Sequence, residues 1–365
     1  MNYKETFYFI ATCLTISSEK HNKQAIEKQL KENKVDWDAV VKVSTRHFVF
    51  PALYCVLKRE DFLQYLPQEL VNYMELITNL NRKRNEQIIT QAKELNTFLL
   101  AHNITPVFLK GTGNLFAGLY KDIAERMIGD IDFIFSKEAY PKAIKLLRNY
   151  GYSDVLKERY HFPSQHHYRR LKKEHNIAAI EIHKELSLKK YTNEFNYAFV
   201  KKDCQIINDV AVLSYANKLN VSIVTSQITD NIFYYKTINL RNAYDVFLIS
   251  KKTNAKQAVN TLNKLRHPLN CFIAACYEVF NQVASLEYHK TEKTTAYLNT
   301  FKSQFINTEK TTRKHQIIKT YLDIKLLLST LYRCLLYKEY RIWLFYRVTD
   351  KKWYNEKLIQ LGLKR

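Results

Sequence analysis

Apolar residues recur at helical spacing through the first hundred positions. Asp36 to Val49 places Trp37, Val40, Val41 and Val43 behind an Asp N-cap, which predicts a helix. Leu70 to His102 predicts a long helix with an intermittent stripe through Leu76, Leu80, Ile88, Ile89, Ala92, Leu95 and Leu99. Its polar middle, Asn81 to Glu86, predicts a break or an exposed turn, and Asn103 and Pro106 end it. The pattern then changes. Short apolar runs at Pro106–Leu109, Ile131–Phe135, Gln165–Leu171 and Ile177–His183 predict strands, and Cys204 to Leu213 predicts a hairpin. Helices are expected from Thr112 to Leu119 and from the Ser136 cap to Tyr150, where Gly151 ends the turn. Helical spacing returns at Ser214–Leu219, Leu240–Ile249 and Ala255–Leu265, and Ile317 to Tyr346 is dense in Leu, Ile, Tyr and Phe. The pattern predicts an α+β chain. Helical regions at 1–103 and 214–365 flank a small mixed-sheet domain at 104–213.

Composition narrows the picture. Gly and Pro number only six each among 365 residues, which disfavours an all-β fold with many tight turns. Hydrophobic residues make up 46%, enough for real cores, and the length suits two or three units. Lys and Arg outnumber Asp and Glu by 57 to 35, giving +22. Such a charge suits a nucleotide, a nucleic acid or an anionic surface, although Lys-rich proteins also drift basic without one. Residues 310–365 hold 14 Lys or Arg against 4 Asp or Glu. These are expected on a solvated helix surface, with the tyrosines between 320 and 346 packed in an apolar core. The six cysteines are scattered with no C-x-x-C pair, so neither a zinc knuckle nor a disulfide framework is indicated. Free thiols fit a reducing cytoplasm. Phe7 to Ile16 is a short apolar run without a cleavage site and predicts a buried first helix. No uncharged apolar run is long enough for a transmembrane helix.

The candidate chemistry lies in Gly129-Asp-Ile-Asp-Phe133. On a strand, residues i and i+2 share a face, so Asp130 and Asp132 stand side by side. Two such charges repel unless a cation neutralises them, and paired carboxylates suit Mg²⁺ with substrate phosphates. Ala179-Ile-Glu-Ile-His183 supplies a third acid, with Glu181 and His183 on one strand face. A carboxylate in so apolar a strand is expensive to bury, and a metal beside Asp130 and Asp132 would explain it. Lys110 is either a phosphate contact or a strand-end lysine in solvent. Arg126 suits a phosphate clamp or a buried pair with the carboxylates, and Gly129 permits close backbone approach. His161, His166, His167, His175 and His183 form a local excess without standard zinc spacing. His167 and His183 are expected to line the cleft. Tyr168, Arg169 and Arg170 read as a sheet edge or as contacts to a polyanion.

The ordered set of Leu109-Lys-Gly, Tyr120, Arg126, Gly129-Asp-Ile-Asp-Phe133, Gly151-Tyr152 and Ile180-Glu-Ile-His183 resembles the polymerase-β-like nucleotidyltransferase superfamily. Within it, the chain resembles the bacterial uncharacterised nucleotidyltransferase family over roughly residues 35–250, including the phrase Val35-Asp-Trp-Asp-Ala39. The resemblance implies that Gly111 and Thr112 form the turn whose amides hold the triphosphate, with Thr112 in place of the usual Ser. It implies that Asp130 and Asp132 are metal ligands and that Glu181 is the third acid, a base or second-metal ligand. The expected function is therefore Mg²⁺- or Mn²⁺-dependent transfer of a nucleoside monophosphate from ATP or another NTP. The acceptor is a small molecule, a protein or an RNA, and pyrophosphate is released. The alternative is a non-catalytic nucleic-acid or partner-binding protein on the same scaffold. No motif specifies the base, the acceptor or the oligomeric state.

Overall fold

The computed structural model describes residues 1–155, 162–163, 165–306 and 308–360. Four helices, α1 to α4, occupy Tyr3–Cys13, Lys20–Lys31, Trp37–Arg46 and Phe50–Arg59. Asp36 caps α3 through its side chain, which accepts from the Ala39 amide. Helix α5 then runs unbroken from Gln68 to Leu100.

The polar middle of α5 is neither a break nor an exposed turn. Asn81 and Asn85 are buried. Asn81 Nδ2 donates to the Ala124 carbonyl at 2.7 Å, and Asn85 Nδ2 donates to the carbonyls of Ile123 and Arg126 at 2.6 and 2.7 Å. Arg82 grips Asp122 with two bonds, at 3.1 and 2.7 Å. These side chains satisfy a loop that has no ladder of its own, which explains amides in a helix interior.

Among the described residues, seven strands form one mixed sheet in the order β3-β4-β5-β2-β1-β7-β6. They are β1 Val107–Phe108, β2 Asp130–Ile134, β3 Ser153–Asp154, β4 Leu171–Lys172, β5 Ala179–His183, β6 Gln205–Ile207 and β7 Val210–Val212. The central pair, β2 and β5, is parallel, and β1 is antiparallel to β2. Helix α6 (Lys110–Phe116) follows β1, and α7 (Ala139–Asn149) follows β2, with Ser136 Oγ accepting from the Ala139 amide at 3.2 Å. Gly151 ends that unit at φ +100. The expected strand at Gln165–Leu171 is mostly irregular. Only Leu171–Lys172 joins the ladder, while His167 makes an isolated bridge to His183. The β6–β7 turn places Asn208 and Asp209 at φ 47 and 64, the left-handed pair of a two-residue hairpin.

Behind α8 (Tyr197–Lys201), the C-terminal half is helical. It comprises α9 Tyr215–Val224, a π-turn at Thr225–Thr229, α10 Ile232–Tyr235, α11 Leu240–Ser250, α12 Ala255–Asn260, α13 Arg266–Val279 and α14 Glu292–Ser303. Three more follow: α15 Thr308–Leu336, α16 Lys338–Thr349 and α17 Lys351–Gln360. The expected helix at Ala255–Leu265 stops at Asn260. One continuous apolar core runs from Phe7 to Phe301. The tyrosines between 320 and 346 depart from expectation: Tyr321, Tyr332, Tyr337 and Tyr346 are exposed, and Tyr340 is buried. Apolar residues surround α15 on several sides, so packing one face on the body leaves the others outside.

Candidate active site

Register builds the site. In the parallel β2·β5 pair, Asp130 lies opposite Ala179, Asp132 opposite Glu181, and Ile134 opposite His183. Alternation puts Asp130, Asp132, Glu181 and His183 on one face, while Ile131, Phe133, Ile180 and Ile182 fill the core on the other. Phe133 sits edge-on to Phe108 and to Phe135, with ring centroids 5.8 and 5.3 Å apart. Each such buried ring contributes about 1.5–3 kcal/mol, so the apolar face holds the acids in place.

Asp132, Glu181 and His183 present ligand atoms within 4.8 Å of one another. His183 Nε2 donates to Asp132 Oδ1 at 2.7 Å. Lys110 Nζ donates to the same oxygen at 2.7 Å and lies 3.8 Å from Glu181 Oε2. Arg170 bridges the other side: its Nη2 is 2.7 Å from both Asp130 Oδ2 and Glu181 Oε1. Three acids thus face two basic side chains.

The electrostatics differ for the two aspartates. Burial, with Asp132 and Glu181 beside it, pushes the Asp130 carboxyl up to about 7, against the pull of Arg170 and Lys110. Burial also opposes charge on Asp132, but Lys110 and His183 hold it well below the usual carboxylate range. Burial would lower Lys110, yet Asp132 and Glu181 raise it, so it stays charged. Burial and Lys110 lower His183, which is a neutral donor at neutral pH.

The glycine turn packs tightly below. Lys110 adopts φ 48, a left-handed conformation uncommon for a side-chain-bearing residue. A Cβ on Gly113 would lie 2.6 Å from the Phe108 carbonyl, so α6 touches β1 through that glycine. Gly111 faces Ile128, where a Cβ would come within 3.0 Å of a side-chain atom. Thr112 is buried, and its hydroxyl lies 3.4 Å from the Asp130 carbonyl. An added Cβ on Gly129 would meet nothing within 4 Å.

Arg126 is placed differently from the acids. Its Nε donates to Asp245 at 3.0 Å and its Nη1 to the Met127 carbonyl at 2.7 Å, so those donors are committed to α11 and the local loop. Histidines gather at the cleft. His166, His167 and His183 have ring centroids 4.8–5.8 Å apart, whereas His175 is exposed and His161 lies outside the described residues.

A cavity of 170 Å³ opens above Lys110, Glu181 and His183, and Thr225, Thr229 and Asp230 form its far wall. His166 also borders a wider groove of 680 Å³ against α15 and α16, where Lys189, Tyr332 and Tyr337 take part. Sequence reasoning missed Arg170 as the partner of the acids and Asp230 as a cleft residue. Arg170 is placed by register, which the sequence does not show: Leu171 pairs with Ile180, so the neighbouring residue lands beside Glu181. Asp230 follows a π-turn, a feature with no sequence pattern of its own.

Residues 33–280 match the model of a family described as uncharacterised nucleotidyltransferase. The chain belongs to this family, and the protein is accordingly a nucleotidyltransferase acting on a nucleotide substrate. The matched span holds all four face-sharing residues and extends past the region where the resemblance was read. Searches of curated proteins and of solved structures found no match. Among the described residues no helix is long and apolar enough to cross a membrane.

Proposed function

We propose that the protein transfers a nucleoside monophosphate from an NTP to an acceptor hydroxyl in a Mg²⁺- or Mn²⁺-dependent reaction. The observation that carries this reading is the register that sets Asp132 against Glu181 with Asp130 on the same face. The donor set fits a hard divalent cation. Asp132 and Glu181 lie within ligand distance of each other with Asp130 on the same face, and burial together with those two acids raises Asp130. Asp130, Asp132 and Glu181 would hold the ion, whose charge would offset that developing on the phosphate oxygens.

The remaining steps belong to the chain. The amides of Gly111 and Thr112 receive the triphosphate, and Lys110 adds a positive charge beside it. The acceptor reaches the cavity under His166 and His167, between the sheet and the Thr225–Asp230 wall. Its oxygen attacks the α-phosphorus, the bond from that phosphorus to the bridging oxygen breaks, and pyrophosphate leaves. Glu181 takes the acceptor proton.

One observation favours the non-catalytic reading. Lys110 and Arg170 already neutralise the acids by direct ion pairs. Incubation with each α-labelled NTP, Mg²⁺ or Mn²⁺ and cell extract decides between the two. The proposal expects labelled acceptor and released pyrophosphate, both lost in Asp130→Asn with Asp132→Asn while the fold persists. Full transfer by the double variant sinks the assignment. RNA binding without a metal, and no labelling from any NTP, favours the alternative.

A further inference from the structure

Helix α15 carries a seam that nothing among the described residues covers. Ile317, Tyr321, Ile324, Leu328, Leu331 and Leu335 follow one another at spacings of four, three, four, three and four. Every one is exposed, from 43% at Leu331 to 79% at Leu335. A different side of the helix holds it to the body. His315 Nε2 lies 3.3 Å from the Tyr235 carbonyl and 3.1 Å from Gln304 Oε1. Lys325 reaches back over the Tyr234 ring at 5.7 Å, and Cys334 is buried against the Tyr340 carbonyl of α16. The helix is anchored, and its seam faces outward.

Six consecutive apolar positions in a strict four-three alternation form the contact line of paired helices. Chance exposure of single leucines is ordinary, whereas a contiguous apolar stripe marks an interaction surface. The six seam residues, 43–79% exposed, present on the order of 600 Å², taking about 150–200 Å² for each large side chain. Standard interfaces start at about 600 Å² per partner, so the seam reaches the size of a stable pair.

We propose that α15 pairs antiparallel with α15 of a second copy of this chain. The spacing reads the same in both directions, so antiparallel pairing sets Ile317 against Leu335, Tyr321 against Leu331 and Ile324 against Leu328. A symmetric pair of this kind uses one patch twice. Charge favours the same orientation. Residues 308–325 carry Lys310, Arg313, Lys314, Lys319 and Lys325 against Glu309 and Asp323, while 326–336 carry Arg333 as their one charge. Antiparallel packing places each basic half against an almost uncharged half, and parallel packing would bring the basic halves together. The seam lies beyond residues 33–280, so it is independent of the nucleotidyl-transfer reading.

Sedimentation velocity on the full chain tests the proposal. Twice the 43.4 kDa chain mass is expected at low micromolar concentration. Leu328→Glu buries a charge in the seam and is expected to weaken pairing by about 100-fold, with an unchanged far-UV spectrum. Leu326→Glu, on the opposite side of α15 from the seam, is expected to leave the pair intact. Should Leu328→Glu fail to fold, Leu328→Ala provides a milder weakening. Ile317→Cys combined with Leu335→Cys is expected to cross-link two copies on oxidation, and neither single cysteine variant is. A wild-type monomer at about 50 μM, well above an ordinary dimer Kd, overturns the proposal. So does a dimer indifferent to Leu328→Glu, a cross-link from Ile317→Cys alone, or a monomer that sediments with anionic phospholipid vesicles through this face.

Discussion

Arg170 and Asp130 decide how the site meets a cation. Arg170 is half-exposed and bridges Asp130 and Glu181, so it competes with any ion held there. Replacing it with Gln removes the competitor and leaves three crowded acids. Mg²⁺ affinity without nucleotide is then expected to rise about 3- to 10-fold, a modest gain because the pair is partly screened by water. Titration calorimetry checks this, and weaker binding in Arg170→Gln shows instead that the guanidinium organises the site. Asp130 adds a pH dependence. Its folded value, near 7, lies above the ordinary carboxylate value. Between about pH 4 and 7 the folded metal-free chain holds a proton that the unfolded chain has released. Stability therefore falls as pH rises through that window, by at most about 1.4 kcal/mol per unit, and levels off above it. Urea titrations at several pH values should show this slope, and Asp130→Asn should flatten it. The same proton competes with metal, so Mg²⁺ binding weakens below pH 7.

Elements position these residues through contacts that sequence patterns read unevenly. The D-x-D strand and the acid on Ala179–His183 were legible because alternation fixes side-chain direction wherever one face is apolar. Their pairing was not, since parallel register is set by the whole sheet, and the match of Asp132 with Glu181 leaves no local trace. The amides of α5 misled for a related reason. A polar run in a helix looks solvated unless the loop it satisfies is known. Gln91 makes the point: its Nε2 donates to the Ala178 carbonyl at 2.9 Å, and its Oε1 accepts from the Ala178 amide at 3.0 Å. That amide clamps the entry to β5 one residue before the strand carrying Glu181. Gln91→Leu strands both backbone groups and is expected to cost about 1–3 kcal/mol per buried orphan. Gly113 gives a second test at this scale. Gly113→Ala must push α6 off β1 because the obstacle is backbone rather than a mobile side chain. A loss of about 1–3 kcal/mol is expected, with lowered transfer activity because Lys110 and Thr112 move with the helix. A fully stable and fully active Gly113→Ala protein would show that the contact relaxes freely.

At the scale of the whole molecule, two buried acids tie together regions that sequence pattern separated. Asp245 on α11 accepts from Tyr120 at 2.7 Å and from Arg126 at 3.0 Å. Glu125 accepts from Tyr244 on α11 at 2.7 Å and pairs with Arg59 at the end of α4. The loop Asp122–Arg126 is therefore held from the N-terminal helices, from α5 and from the C-terminal helices at once. Helical regions that read as separate units along the sequence share this junction and one apolar core. The sequence could not show it, because the partners stand 66 to 125 residues apart. Arg126 is nearly inaccessible, so removing its partner leaves a buried cation without compensation. Asp245→Ala is expected to destabilise by about 3–5 kcal/mol. Asp245→Asn keeps the shape and an acceptor for Tyr120 and should lose less. The loss should fall on the whole core rather than on α11 alone, so near-UV and far-UV transitions in urea should move together. An Asp245→Ala protein whose near-UV signal melts first, with the far-UV midpoint unmoved, would instead mark α11 as a separately folding layer over an autonomous sheet.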